Sequence, residues 1–202
     1  MAILQHAVIE LEAARNSLAN LQASTDLEAL DAHWRTFLRH LERSWFKAQA
    51  ALKKHSKWQG WNERGRVEGL RGGKDALLSY LRNARGAEEH GIDPIAVQTR
   101  GGTVIDAVAP GGAIHIDELK YDGRSISIKS GQPLRIRIDA ARYTLLDVVN
   151  HGKRYAVPTS HLGSPLSGSD PVTLARAGLA FYEEFLSQAE QEFGGAGKSP
   201  AR

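Results

Sequence analysis

Four stretches of the chain repeat apolar residues at intervals of three and four, the spacing that places side chains on one side of an α-helix. The first covers 3–21, and the second runs from about 25 to 54 after a break at Ala23-Ser24-Thr25. The third lies within 74–94, and the fourth begins at Pro171. A short break between two long helices predicts an antiparallel hairpin, so these stretches predict a helical bundle of about four helices.

Two of the predicted helices carry start signals. Thr25 and Glu28 have the Thr-x-x-Glu spacing of a capping box, which predicts the N-terminus of the second helix. Ser169 or Asp170 precedes Pro171, an order that is typical of the first residues of a helix. These signals predict where the second and the last helix begin.

The pattern changes between residues 95 and 157, where apolar and polar residues alternate as they do in half-buried strands. Asp122-Gly123 and Asn150-His151-Gly152 are turn signals. We expect an antiparallel β-meander of five or six strands whose apolar face lies on the helices. The candidate stretches from which these five or six strands would form are 95–99, 103–108, 113–121, 124–129, 134–139, 143–149 and 153–157.

The predicted fold class is therefore α+β, with the β-meander inserted before the C-terminal helix. The predicted divisions are a helical part, 1–94, and a β-meander sub-domain, 95–157. A loop and the C-terminal helix then return to the bundle over 158–193, and 194–202 is a small polar tail that we expect to be disordered.

Composition narrows the classes of function. The 202-residue chain has 42% hydrophobic residues and a net charge of +3. It contains no cysteine, which excludes disulfides, thiolate metal sites and cysteine nucleophiles. The N-terminus reads as a helix of the mature protein, without the pattern of a signal peptide, and no apolar run has the length of a membrane span. We expect a cytoplasmic protein that has no membrane partner.

The connection between the second and third helices is glycine-rich and basic. From 53 to 74 it has seven basic and two acidic residues, together with two tryptophans. A long connection of this kind is often functional or disordered. Its side chains could bind single-stranded nucleic acid, and the residues assigned to that role are Lys57, Arg64, Arg66 and Arg71. Alternatively, Trp58 and Trp61 cover the end of the bundle while the lysines stay in water.

The third helix has an unusually polar C-terminal end. Gly91 and Pro94 predict its stop, and Arg82, Arg85 and His90 lie shortly before it. On a helical wheel Arg85 falls about 60° to one side of Arg82 and His90 about 80° to the other, so the three share one broad face. Asn83, Glu88 and Glu89 lie in the same two turns.

These residue types suit phosphodiester chemistry. A guanidinium matches the geometry of a phosphate, and an imidazole can accept or donate a proton near neutral pH. Because RNA carries its own nucleophile, the 2′-hydroxyl, its cleavage requires a base, an acid and charge stabilisation but no metal. The chain shows no metal-ligand motif and no cofactor motif, so none is expected.

The segment Arg85-Gly-Ala-Glu-Glu-His90 at the end of a bundle helix resembles the Arg-x4-His motif of the HEPN superfamily. The order of two long preceding helices is similar to that family as well. The resemblance implies a metal-independent ribonuclease, often a toxin or anti-phage effector, that forms a homodimer and can have an antitoxin partner. It implies a catalytic or RNA-contacting role for Arg85 and His90, with Arg82 and Asn83 assisting.

The chain departs from the family at Gly86, where HEPN proteins usually have a polar residue after the arginine. The resemblance covers about the first 95 residues and the last helix, and the β-meander lies outside it. The alternative function is a non-catalytic module of the same helical fold that binds nucleic acid, a nucleotide or a protein. In that case the same residues only make contacts with the ligand. A third alternative is a structural or scaffold protein, in which the arginines form a solvated face and His90 caps the helix. No role is assigned to His115, His151 or His161.

Overall fold

The computed structural model describes residues 3–63, 67–90, 93–108 and 112–194, apart from the side chains of Glu63 and His90. The helices are α1 (Gln5–Ala23), α2 (Leu27–Leu52), α3 (Trp58–Glu63), α4 (Val67–Gly69), α5 (Ala76–His90) and α6 (Pro171–Phe193). Leu70–Lys74 forms a wide π-helical turn between α4 and α5. Short strands occupy much of the rest, so the predicted α+β class is confirmed. No helix in the described ranges is long and apolar enough to cross a membrane.

Helices α1 and α2 form the predicted hairpin, and α6 contacts both of them as well as α5. The apolar stripe of α2 supplies the largest buried side chains, among them Trp34, Phe37 and Trp45. These residues pack with the apolar sides of α1, α5 and α6 in one hydrophobic core. The helical period in the sequence therefore identified the buried faces correctly.

Of the two N-terminal helix caps that the sequence predicted, the structure confirms the one of α6 and differs at the one of α2. Asp170 caps α6, and its carboxylate accepts a hydrogen bond of 2.9 Å from the Thr173 amide, as expected for a residue that precedes Pro171. Helix α2, however, is capped by Asp26, whose carboxylate accepts a 2.8 Å hydrogen bond from the Ala29 amide. The predicted capping box at Thr25 is therefore wrong, because the aspartate one residue later occupies the cap.

The connection after α2 is more ordered than its sequence suggested. It contains α3, α4 and the wide turn, and Trp58 and Trp61 are both buried. Their rings contact the rings of Phe185 and Phe193 on α6, with centroid separations of 5.3 to 6.2 Å. The two tryptophans thus extend the core at this end of α6, as in the alternative given above, and are not open to nucleic acid.

The strands are short and pair two by two. They are β1 (Ala96–Thr99), β2 (Gly102–Ala107), β3 (Glu118–Tyr121), β4 (Ile126–Lys129), β5 (Leu134–Asp139), β6 (Arg142–Leu145), β7 (Val148–Asn150), β8 (Lys153–Tyr155), β9 (Ser160–His161) and β10 (Ser164–Pro165). The pairs are β1 with β6, β2 with β5, β3 with β4, β7 with β8, and β9 with β10. The last four are antiparallel.

This pairing is not the simple meander that we expected. In a meander each strand pairs with the next, whereas here β1, β2 and β3 pair with β6, β5 and β4 in nested order. The hairpin signals located both turns. Strands β7 and β8 turn at His151-Gly152, whereas β3 and β4 are joined by a four-residue loop, 122–125, that contains Asp122-Gly123 and is longer than the two-residue turn expected there. The long-range pairs were missed because no local signal specifies which distant strands meet.

The described residues form two compact units. One contains residues from 1–98 and 143–202, and the other is 99–142. The second unit is thus shorter than the predicted sub-domain, 95–157, because β7 packs on α5. Its alternating apolar residues are largely exposed, with Ile136 at 55% and Ile138 at 81%. The predicted tail beyond Gly194 lies outside the described residues.

Candidate functional site

Helix α5 begins at an aspartate and buries one apolar side. The Asp75 carboxylate accepts a 2.8 Å hydrogen bond from the Leu78 amide, which satisfies a free donor of the first turn. Leu77, Leu78 and Leu81 are buried in the core. This orientation leaves Arg82 and Arg85 on the outer side of the helix, as the wheel predicted.

The outer side of α5 forms one wall of a cleft with a volume of about 320 Å³. The other walls come from α2, from the wide turn and from the β7–β8 hairpin. The lining residues are Glu42, Phe46, Arg71, Gly72, Arg82, Asn83, Arg85, Gly86, Asn150, His151 and Tyr155. Three of the four residues assigned to the catalytic group, Arg82, Asn83 and Arg85, therefore lie together.

The two outer arginines of the cleft have acidic neighbours on its rim. Arg85 makes a bidentate ion pair with Glu89, one turn further along α5, and one of its two hydrogen bonds measures 2.7 Å. The Nη1 atom of Arg82 lies 3.8 Å from a carboxylate oxygen of Glu68, which is longer than a hydrogen bond. Because pairs at a solvated surface are worth about 0–1 kcal/mol, an incoming anion can compete for both guanidinium groups.

Two asparagines meet at the base of the cleft. Asn83 is buried, and its side-chain amide donates a 2.7 Å hydrogen bond to the carbonyl oxygen of Ser79. The side-chain oxygen of Asn83 accepts a 3.0 Å hydrogen bond from the amide of Asn150 on β7. Asn83, which was assigned an assisting role beside Arg85 and His90, is therefore an inner residue that joins α5 to the hairpin.

Gly86 is the reason that Asn150 can come so close to α5. A Cβ atom added to Gly86 would lie 2.5 Å from Nδ2 of Asn150, and its three nearest neighbours would all be atoms of that side chain. Any larger residue at this position would displace the amide. The glycine at position 86 thus has a structural cause, because the space beside it is filled by an amide from another element.

The β7–β8 hairpin also places a histidine in the cleft. Asn150 pairs with Lys153, so His151 and Gly152 form a two-residue turn in which both residues have positive φ, 49° and 74°. This is the geometry of a type I′ turn. His151 is exposed at the tip of the turn and lines the cleft together with Arg82 and Arg85. The hairpin thus adds an imidazole to the guanidinium groups that α5 provides.

Arg71 forms a buried ionic network at the wall of the cleft. The residue is 2% exposed, and its guanidinium donates hydrogen bonds of 2.6 and 2.7 Å to Glu42 and one of 2.8 Å to Tyr182. Burial raises the pKa of the Tyr182 phenol to about 12, against the opposing effect of the Arg71 charge. A buried guanidinium needs such partners. This position does not fit the surface contact with nucleic acid that we assigned to Arg71.

The remaining assigned residues do not reach this site or are not described. Lys57 is exposed and lies 3.6 Å from a carboxylate oxygen of Glu192. Arg64 and Arg66 lie outside the described residues. His90 belongs to the last turn of α5, but its side chain is outside the description as well.

Sequence reasoning missed the contributions of α2 and the hairpin. Asn150 and His151 were interpreted only as turn residues, and Phe46 was given no role. The available signal was Gly86, because a glycine inside a helix often marks the close approach of another element. That signal cannot say which element approaches, since no local pattern connects Gly86 with Asn150.

The fold and the cleft define an α+β protein with an anion-compatible site that is built from guanidinium, amide and imidazole groups. Within the described residues, no three His, Asp or Glu side chains come together in a way that could hold a metal ion. Comparison of the chain with known protein families, curated proteins and solved structures found no match.

Proposed function

We propose that the protein is a HEPN-like, metal-independent ribonuclease that binds RNA in this cleft. The observation that carries the proposal is that Arg82, Asn83 and Arg85 line one cleft. Arg85, assisted by Arg82, holds the scissile phosphate, and His90 transfers a proton as general acid or base. Asn83 acts as a positioning residue through its hydrogen bond to Asn150.

The proposed reaction is attack of the RNA 2′-hydroxyl oxygen on the adjacent phosphorus. A base removes the hydroxyl proton, and the bond from phosphorus to the 5′-oxygen breaks as an acid protonates that oxygen. The products are a 2′,3′-cyclic phosphate and a free 5′-hydroxyl. Negative charge grows on the phosphoryl oxygens in the transition state, where two guanidinium groups stabilise it most.

Asn150 supports the resemblance to the HEPN motif at Gly86, the position where the sequence departs from that motif. HEPN proteins usually have a polar side chain directly after the arginine, and here Gly86 occupies that place. The Asn150 amide fills the space beside Gly86. We propose that it supplies the polar group at this position from a strand.

The wider proposal follows the same resemblance. The helices α1, α2, α5 and α6 form the family's bundle of about four helices, with the β part inserted before the last one. The protein is a cytoplasmic homodimer, it acts on RNA, and a toxin-type role would include an antitoxin partner. Sedimentation of the purified chain tests the dimer directly.

A non-catalytic binding module is the second candidate, and the aromatic residues of the cleft favour it. Phe46 is 53% exposed, and Phe46 and Tyr155 line the same cleft as the two outer arginines. Exposed rings can stack on bases while guanidinium groups bind phosphate, without any chemistry. In this reading the protein retains a nucleotide or single-stranded nucleic acid.

Cleavage of labelled single-stranded RNA in the presence of EDTA distinguishes the two candidates. The wild type is compared with His90→Ala, with Arg85→Ala and with a matched control, Arg176→Ala, which removes an exposed arginine of α6 that does not line the cleft. A ribonuclease should lose at least about 100-fold in rate when its proton-transfer residue is removed. Arg176→Ala should cleave like the wild type.

Two results would count against catalysis. If all variants cleave equally, the activity comes from a contaminant and the ribonuclease proposal fails. If the wild type does not cleave but binds RNA, and Arg82→Ala or Arg85→Ala weakens that salt-dependent binding, the binding module is supported instead.

A further inference from the structure

Among the residues whose side chains the structure describes, His151 is the histidine that lines the cleft. It comes from the β7–β8 turn and not from α5, and it lines the cleft with Arg82 and Arg85. Nothing in the Arg-x4-His segment predicts it. The cleft therefore combines one exposed imidazole with two guanidinium groups.

The backbone around His151 holds this side chain at a defined position. The turn is closed by the pairing of Asn150 with Lys153, and Asn150 is in turn hydrogen-bonded to Asn83 at 3.0 Å. Helix α5 is also tied to the segment before β7, since the Tyr80 hydroxyl donates a 2.8 Å hydrogen bond to the carbonyl oxygen of Leu146. This part of the chain is therefore fixed on α5 at two places, one shortly before β7 and one at the last residue of β7.

The conformation of His151 is one that most side chains disfavour. A φ of 49° is uncommon for residues other than glycine, asparagine, aspartate and histidine. Asn-Gly is a preferred pair for this turn, so histidine is not required by the turn itself. The backbone conformation therefore does not explain why histidine occupies this position, because asparagine would suit the turn at least as well.

We propose that His151 is a second catalytic residue of the RNA cleavage proposed above, and this inference rests on that function. Cleavage through the 2′-hydroxyl needs one group to accept a proton and another to donate one. The α5 segment provides a single histidine, His90. His151 takes the complementary role: one imidazole accepts the 2′-hydroxyl proton, the other donates a proton to the leaving 5′-oxygen, and the two exchange protonation states.

Among the described residues, other titratable groups line the same cleft as His151, so their ionisation also contributes to the pH profile. They are Glu42 from α2, Arg71 from the wide turn, Arg82 and Arg85 from α5, and Tyr155 from β8. Histidine has an unperturbed pKa of about 6.5, far from the ordinary values of these carboxylate, phenol and guanidinium groups. A limb of the profile near neutral pH would therefore come from an imidazole.

The test is His151→Asn, which removes the imidazole and retains a residue suited to positive φ. The control is His115→Asn, which removes an exposed histidine that does not line the cleft. We expect His151→Asn to keep its unfolding midpoint and to lose at least about 100-fold in RNA cleavage, with one limb of the bell-shaped pH profile lost. His115→Asn should keep the wild-type rate and profile.

A second readout does not depend on cleavage. The imidazole proton signals of His151 are followed by NMR as a function of pH, with and without inorganic phosphate. Phosphate in the cleft should raise the midpoint of His151, and Arg82→Ala/Arg85→Ala should abolish that shift, because the anion favours the charged imidazole.

The outcomes separate this inference from the function on which it rests. If the wild type cleaves RNA and His151→Asn cleaves it equally well with an unchanged pH profile, the role of His151 is refuted and the ribonuclease proposal stands. If the wild type does not cleave at all, the ribonuclease proposal fails, and the catalytic role of His151 fails with it. A phosphate-dependent shift of the His151 signals would then still place it in an anion site.

Discussion

Replacing Gly86 by alanine perturbs the contact that joins α5 to the β7–β8 hairpin. The new Cβ atom would lie 2.5 Å from Nδ2 of Asn150, so the amide must move. Its hydrogen bond to Asn83, 3.0 Å long, would then be lost. The matched variant is Asn150→Ala, which removes the same amide while it leaves the helix unchanged.

Gly86→Ala makes two contributions of opposite sign to the free energy of unfolding. Alanine in place of glycine inside a helix stabilises it by about 1 kcal/mol. Losing the hydrogen bond costs about 0.5–1.5 kcal/mol, and the buried oxygen of Asn83, left without its partner, raises the total to about 1–3 kcal/mol. We therefore expect Gly86→Ala alone to be neutral or destabilising by up to about 2 kcal/mol. In an Asn150→Ala background the same change should stabilise by about 1 kcal/mol.

Urea unfolding of the wild type, both single variants and the double variant measures this coupling. The expected interaction energy between the two positions is about 1–3 kcal/mol. Additive free energies, within about 0.5 kcal/mol, would refute the argument that Gly86 is required by Asn150. The cycle needs no assumption about activity, so it tests the geometry of the site separately from its proposed chemistry.

Three further predictions concern other parts of the chain. Arg71→Met should lower the free energy of unfolding by about 3–5 kcal/mol in urea titrations, because it leaves the buried Glu42 carboxylate unpaired. Asp75→Ala should cost about 1–2 kcal/mol by removing the cap of α5, and should speed amide exchange around His161, which hydrogen-bonds to Asp75 at 3.0 Å. Asp122 should titrate at a pKa of about 2 in an NMR experiment, because amide groups of its own turn donate to the carboxylate. Since that pKa is depressed, the stabilisation from Asp122 is present above its unfolded pKa of about 3.9 and is lost as the pH falls through about 2.

Each of these predictions has a contrary result. Arg43→Met is the control for Arg71→Met, because Arg43 pairs with Glu10 at 3.0 Å but is 51% exposed. Equal losses in both variants would contradict the buried-pair argument. Unchanged exchange around His161 in Asp75→Ala would show that other contacts hold the β9–β10 hairpin. A midpoint for Asp122 near its unperturbed value of about 3.9 would contradict the hydrogen-bonded turn.

Much of the helical part was readable from the sequence because its signals are local. The apolar period identified the buried sides of the long helices, and Asp170 with Pro171 predicted the start of α6. The hairpin at His151-Gly152 was also indicated, since a two-residue turn with positive φ at both positions strongly favours a small set of residues. The error at Thr25 was small, because two adjacent residues could cap α2 and the sequence does not rank them decisively.

Only part of the candidate site could be predicted from the sequence. The helical period placed Arg82 and Arg85 on one side of α5, and they do line one cleft. Arg71 was misinterpreted because a basic residue in a glycine-rich segment usually lies at the surface, and the sequence does not reveal that Glu42 and Tyr182 will surround it. Its burial is decided by partners on α2 and α6, far away in the chain.

The sequence by itself determined the local order of this protein: which stretches are helical, which sides of them are apolar, and which dipeptides turn the chain. Those features depend on interactions over a few residues. Tertiary structure alone decided that Asn150 fills the space left by Gly86, and that His151 joins Arg82 and Arg85 in one cleft. The physical reason is that distant residues pair according to the fit of their shapes and their hydrogen bonds. The pattern of residues along the chain specifies neither of these.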